Sequence, residues 1–142
     1  MEEVHELYAE HVVKIMLKTW PWEKSAALKE LADEVYQGVG FDALKTNIGI
    51  VTTKWVMERP MIFKSDIAQA HGRTGSFEPG FGVSIGNAVQ ASCSAYPFFA
   101  RKTIITGSGD TVDLIDGGYC ANNPTLYAIA DATNGLKIAP ER

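Results

Sequence analysis

The run Thr111-Val112-Asp113-Leu114-Ile115-Asp116-Gly117-Gly118-Tyr119-Cys120-Ala121-Asn122-Asn123-Pro124 passes from an apolar, branched stretch to a carboxylate, two glycines and an Asn-Pro step. Residues 111–115 predict a strand, because branched and apolar side chains suit a pleated, half-buried surface. That strand delivers Asp116 at its C-terminal end. Gly117 and Gly118 follow, and glycine admits positive φ and a sharp turn, so the aspartate can project into a cleft. Asn123 and Pro124 predict a helix start, with a capping side-chain oxygen before a residue whose missing N–H costs nothing at the first helical position. Leu126, Ile129 and Ala130 carry that helix to residue 132. An ionised carboxylate at a strand end can act as a general base, and an Asp-Gly turn between two elements is the plain structural reading of the same residues. An acyl hydrolase also needs a nucleophile and an oxyanion hole, and neither is convincing here.

Working upstream, residues 102–106 predict a second strand, joined to the first through Gly107-Ser108-Gly109-Asp110. Ser84 is placed to cap a helix running through Ile85, Ala88, Val89 and Ala91. Residues 72–82 hold too much glycine and proline for regular structure and are expected to form a mobile loop. Residues 47–53 and 60–64 read as strands. Val4, Leu7, Tyr8, Val12 and Ile15 repeat at helical spacing over residues 2–17. Trp20-Pro21-Trp22 interrupts that pattern, and residues 24–37 predict a second helix with Leu28, Leu31, Val35 and Tyr36 on one stripe, closed by Gly38 and Gly40. The order is a helical connector over residues 1–40 and a strand-rich part over residues 41–142. Helices followed by strands alternating with helices predict an α/β sheet with helices on its faces, whose working residues sit at carboxyl ends of strands.

The chain has the length of one domain, and 46% hydrophobic with 21% charged residues makes it globular rather than disordered. A net charge of −4 argues against a nucleic-acid partner, which demands a basic stripe. Apolar runs are too short to span a bilayer, and Met1-Glu2-Glu3 is acidic where a signal peptide is basic. The expectation is a soluble, cytoplasmic chain, peripheral to a membrane surface. Cys93 and Cys120 are too few for a disulfide scaffold and are expected to be free buried thiols. His5, His11 and His71 show no zinc spacing with them, so no metal and no cofactor are expected.

Gly82-Val83-Ser84-Ile85-Gly86 matches Gly-x-Ser-x-Gly literally. A nucleophile elbow needs a buried strand before its serine, and Glu78-Pro79-Gly80-Phe81 does not read as one, so Ser84 is expected to cap a helix. A triad of His71, Ser84 and Asp116 can be written down, but triads are defined by geometry, and His71 reads as an exposed loop residue. Trp20 and Trp22 are expected in the core, with a lipid-facing surface as the alternative; for Phe77 and Phe81 the two readings stand level. Glu2, Glu3, Glu6 and Glu10 give the first helix the wrong charge for anionic lipid, so it is expected to pack on the sheet.

Asp116-Gly117-Gly118 with Ala121-Asn122-Asn123-Pro124-Thr125-Leu126 closely resembles the Asp-Gly-Gly/Ala motif and following Asn-Pro helix start of the patatin-like phospholipases. Ser94-Ala95-Tyr96-Pro97-Phe98-Phe99 resembles that family's Ser-Ala-Ala-Pro-x-aromatic segment. The first helix, the strand near Ile48 to Thr53 and the strand with Arg59-Pro60-Met61-Ile62-Phe63 occur in the family's order, so the resemblance covers nearly the whole chain and is most specific over residues 84–132. Tyr96 departs from a usual alanine and Ala100 from a frequent aromatic, changes that bear on the pocket wall. The resemblance implies the C-terminal portion of a three-layer α/β/α domain spanning residues 1–142. It implies a phospholipase A-type esterase acting on acyl lipids, with transient contact to a membrane surface, through a serine and aspartate without histidine. Asp116 matches the dyad aspartate, with Gly117 and Gly118 supporting it. The serine elbow and oxyanion loop would lie upstream of this chain, which alone would then be inactive. The alternative is a non-catalytic binding or regulatory module, or a half-domain completed by another chain.

Overall fold

The computed structural model describes residues 2–71 and 77–139. Helix α1 (Glu2–Met16) and helix α2 (Pro21–Tyr36) form the expected helical entry. Trp-Pro-Trp opens the second helix rather than merely breaking the first. Pro21 takes the first helical position, where its missing donor is harmless, and the Trp20 N–H donates to Glu23 Oε2 at 3.1 Å. Leu28 and Ala32 are buried on the inner stripe of α2.

Five strands follow: β1 (Gly49–Lys54), β2 (Arg59–Lys64), β3 (Glu78–Gly80), β4 (Lys102–Ile105) and β5 (Thr111–Asp116). They form one sheet in the order β3-β2-β1-β5-β4. The β1–β2, β1–β5 and β4–β5 pairs are antiparallel and β2–β3 is parallel. Four strands fall within two residues of their expected places. The fifth, β3, lies inside the stretch expected to be a loop: Pro79 is tolerated because this three-residue strand is at the sheet edge. Residues 72–76 of that loop lie outside the described residues.

Strand alternation sorts side chains onto two faces. Met61 and Phe63 of β2, Ile104 of β4 and Val112 and Leu114 of β5 form one core with Ala88 and Ala91 of helix α3 (Ile85–Ser92). Small residues on α3 let it lie close on the sheet, and α2 packs on α3 in turn. The opposite face, with Val51, Ile62 and Lys64, is covered by helix α4 (Gly118–Ala121), helix α5 (Thr125–Ala130) and a π turn at Asp131–Gly135. The result is a mixed α/β segment with helices on both sheet faces.

That second face contains a buried charge. Lys64 is 2% exposed and its ammonium is bonded to Asp131, itself 7% exposed. Gln69 Nε2 donates to the same carboxylate at 3.1 Å, and His71 Nε2 lies 2.9 Å from its other oxygen. His71 is therefore not the exposed loop residue expected; its side chain is packed against Asp131 and edge-on to Phe77 at 5.6 Å. Gln69 Oε1 accepts from the Asp66 N–H at 2.9 Å and from Ser65 Oγ at 3.0 Å, completing the network.

An unpaired ammonium here would be strongly unfavourable. Asp131→Ala is expected to lower unfolding free energy by about 3–5 kcal/mol, whereas Lys64→Met with Asp131→Leu recovers most of that loss. Urea denaturation of the three proteins checks this, and equal stability of Asp131→Ala and the parent would contradict it.

Candidate active site

Asp116 is the last residue of β5, and strand alternation puts it on the same face as Val112 and Leu114, next to the C-terminal end of α3. Its backbone is fixed on two sides. The Asp116 N–H donates to the Ser94 carbonyl at 3.0 Å, and the Thr53 hydroxyl donates to the Asp116 carbonyl at 2.8 Å. The Gly117 N–H reaches the Ser92 carbonyl at 3.3 Å. The two sequence segments at Ser94 and Asp116 thus meet side by side, a juxtaposition no sequence spacing could give.

The carboxylate itself is half-buried and accepts the Gly118 N–H on Oδ1 at 2.5 Å. Hydrogen bonds to the ionised form hold such a group in one orientation. Gly117 has φ −67° and ψ −27°, an ordinary right-handed conformation, so the turn does not use the positive φ expected from the sequence. Glycine is needed for space instead. A Cβ on Gly117 would stand 2.6 Å from the Val51 carbonyl carbon and nearer still to its oxygen. A Cβ on Gly118 would stand 3.0 Å from Asp116 Oδ1. The chain then forms α4, absent from the sequence expectation, before Asn123 Oδ1 accepts the Thr125 N–H at 3.1 Å at the start of α5.

Ser84 and Ser94 are both held in local roles, Ser84 at the opposite end of α3 from Asp116 and Ser94 beside it. Ser84 accepts the Asn87 N–H at 3.2 Å and caps α3, as its sequence position implies. The short strand β3 does precede it, but at the sheet edge and ending four positions before it. Ser94 is 1% exposed and its hydroxyl donates to the Gln90 carbonyl at 2.7 Å. His71 is held by Asp131, so the written triad is not assembled. Tyr96 packs on Trp55 with centroids 4.8 Å apart.

Sequence reasoning missed Cys93 as a neighbour of Asp116. Cys93 and Cys120 are free, as expected, but Cys93 is exposed and Cys120 half-buried rather than buried. Crowding by its surroundings pushes the Cys93 thiol up, although part of the residue meets solvent, and the Asp116 carboxylate pushes it further. Among the described residues no group of three His, Cys, Asp or Glu is placed to hold a metal.

The Asp-Gly-Gly and Ser-Ala-x-Pro segments that carry the family resemblance are thus brought together at the end of β5. A family model described as patatin-like phospholipase matches residues 9–129, and the chain belongs to that family. It is 60% identical over 137 residues to a cUMP-AMP-activated phospholipase of Escherichia coli. That match covers 96% of this chain and 43% of the relative, so the chain spans less than half of the relative's length.

Two outcomes test the geometry. Gly117→Ala forces a backbone collision and is expected to lose about 1–3 kcal/mol of stability, more than Gly118→Ala, by chemical denaturation. Burial is the main cause of the raised Cys93 thiol pKa and the Asp116 charge adds to it, so Asp116→Asn lowers that pKa, more thiolate is present at a given pH, and iodoacetamide labels it faster. Peptide-resolved mass spectrometry separates Cys93 from Cys120, and an unchanged Cys93 rate would contradict the placement.

Proposed function

We propose that Asp116 is the general base of a Ser-Asp lipid acyl hydrolase acting on fatty acyl esters of phospholipids. The chain belongs to a phospholipase family, and the observation that carries the base assignment is the anchoring of Asp116. Its backbone is bonded to Ser94 and Thr53, and its Oδ1 to the Gly118 N–H. In this reading a serine oxygen attacks the ester carbonyl and Asp116 takes its proton. The same carboxyl group then returns the proton to the departing alcohol, while N–H donors stabilise the oxyanion. Gly117 and Gly118 keep that carboxylate in place.

The nucleophile and oxyanion donors are supplied by sequence outside these residues. What supports this is the engagement of both Ser84 and Ser94 in local hydrogen bonds. The domain reading follows: residues 1–142 are the C-terminal portion of one catalytic domain, and this portion alone does not turn over. The 60% identity to a relative named as cUMP-AMP-activated supports the same nucleotide as activator of the complete enzyme.

The test joins these residues to an upstream segment bearing Gly-x-Ser-x-Gly and measures fatty acid release from phospholipid vesicles with and without cUMP-AMP. Release is expected only from the joined protein. Asp116→Asn should lower kcat about 10²–10⁴-fold, the range of general-base catalysis. Full activity in Asp116→Ala would overturn the assignment.

A further inference from the structure

Between α1 and α2 the chain turns through Leu17-Lys18-Thr19-Trp20-Pro21-Trp22. The core placement expected for the two tryptophans is not what the structure shows. Trp20 and Trp22 are 53% and 61% exposed, and their indoles stack on each other with centroids 5.1 Å and planes 4° apart. Met16 and Leu17, at the end of α1, are 49% and 78% exposed. Four large apolar side chains within seven residues are thus presented to solvent at one corner.

The corner is preorganised. Pro21 and the Trp20–Glu23 hydrogen bond fix the backbone between the indoles, and ring stacking holds their relative orientation. Ordering these rings therefore costs little further entropy on binding.

Its charge also differs from the rest of the chain. The molecule carries −4 overall and residues 2–10 contain Glu2, Glu3, Glu6 and Glu10. Lys14 is paired with Glu10 at 2.6 Å, so the positive charge left beside the indoles is that of Lys18 and Lys24, against the single acid Glu23, which is engaged with the Trp20 backbone. The acidic half of α1 thus ends in a basic, aromatic corner. Indoles prefer the headgroup level of a bilayer, and lysines beside them are attracted to anionic lipid.

We propose that the Met16–Trp22 corner is the surface by which this protein docks on an anionic phospholipid bilayer, with the two indoles at headgroup depth and Lys18 and Lys24 facing lipid phosphates. The proposal rests on the lipid hydrolase reading for its choice of occupant over a protein partner. It requires no catalysis, so its test is a binding measurement and stands or falls separately from the role of Asp116.

The full chain is mixed with vesicles of phosphatidylcholine and phosphatidylglycerol, and with phosphatidylcholine alone, and bound protein is measured by sedimentation. In a Trp55→Phe background all indole emission comes from Trp20 and Trp22, since the chain has three tryptophans. That emission is expected to shift to the blue on anionic vesicles and to be quenched by brominated acyl chains. Trp20→Ala with Trp22→Ala should weaken binding by about tenfold or more through lost apolar burial. Lys18→Glu should weaken binding to anionic vesicles by about fivefold or more and leave neutral vesicles little changed. The quenching readout uses intact Trp20 and Trp22 in the Trp55→Phe background and so does not depend on the double variant's stability. Unquenched indoles, unchanged binding of the double variant at equal Tm, or a parent chain that binds neither vesicle would overturn the proposal. Loss of a concentration-dependent dimer in the double variant, without lipid binding by the parent, would assign the corner to a second copy instead.

Discussion

Lys64 carries a positive charge onto a covered face of the sheet, and the structure on that side is organised by the need to answer it. Asp131 supplies the counter-charge from the π turn after α5, while Gln69 and His71 complete the carboxylate's bonding. Gln69 also donates to the Ile48 carbonyl at 3.2 Å, tying the network to the entry of β1. Replacing such a pair with apolar groups is often tolerated, but removing one partner is not, so the pair acts mainly as a specifier of arrangement. It sets where the chain must return after leaving Asp116, and so fixes the downstream end of the segment that holds the candidate base.

The upstream end is fixed by backbone geometry. The end of β5 is bordered by β1 on one side and by the Ser92–Ser94 segment on the other, and Gly117 lies so close to Val51 that no side chain fits. With both ends anchored, the Asp116 carboxylate sits at a well-defined point beside the end of α3. The proposed proton transfer relies on such preorganisation, with rigid neighbours rather than the side chain's own flexibility setting its position. Placing Cys93 close by leaves a chemical reporter of that charge within the site.

For the proposed lipid hydrolase the substrate is a two-dimensional surface, so docking and chemistry are separate tasks. The proposed chemistry belongs to the strand end at Asp116. The proposed docking belongs to the α1–α2 corner, where the Trp-Pro-Trp step both starts a helix and presents two indoles outward. One local sequence thus has a structural role through Pro21 and a surface role through its neighbours.

Much of the local structure was legible from residues alone. Branched runs marked the four longer strands, Ser84 marked the start of α3, and the strand-to-glycine transition put Asp116 at a strand end. Period-2 and period-3.6 patterns and caps are written in neighbouring residues. Strand β3 escaped because three residues containing proline carry no strand signal and pair only because β2 lies alongside. His71 and the tryptophans were placed wrongly for a related reason: burial depends on what packs against a residue, and composition does not reveal it. The sequence by itself determined the family, the order of the main helices and the four longer strands, and the identity of the candidate base. Tertiary structure alone decided that Ser94 lies against Asp116, that Gly117 is required for clearance rather than φ, that Lys64 is answered by Asp131, and that Trp20 and Trp22 face outward. Each of these is a contact or exposure between distant segments, set by chain closure rather than by local preference.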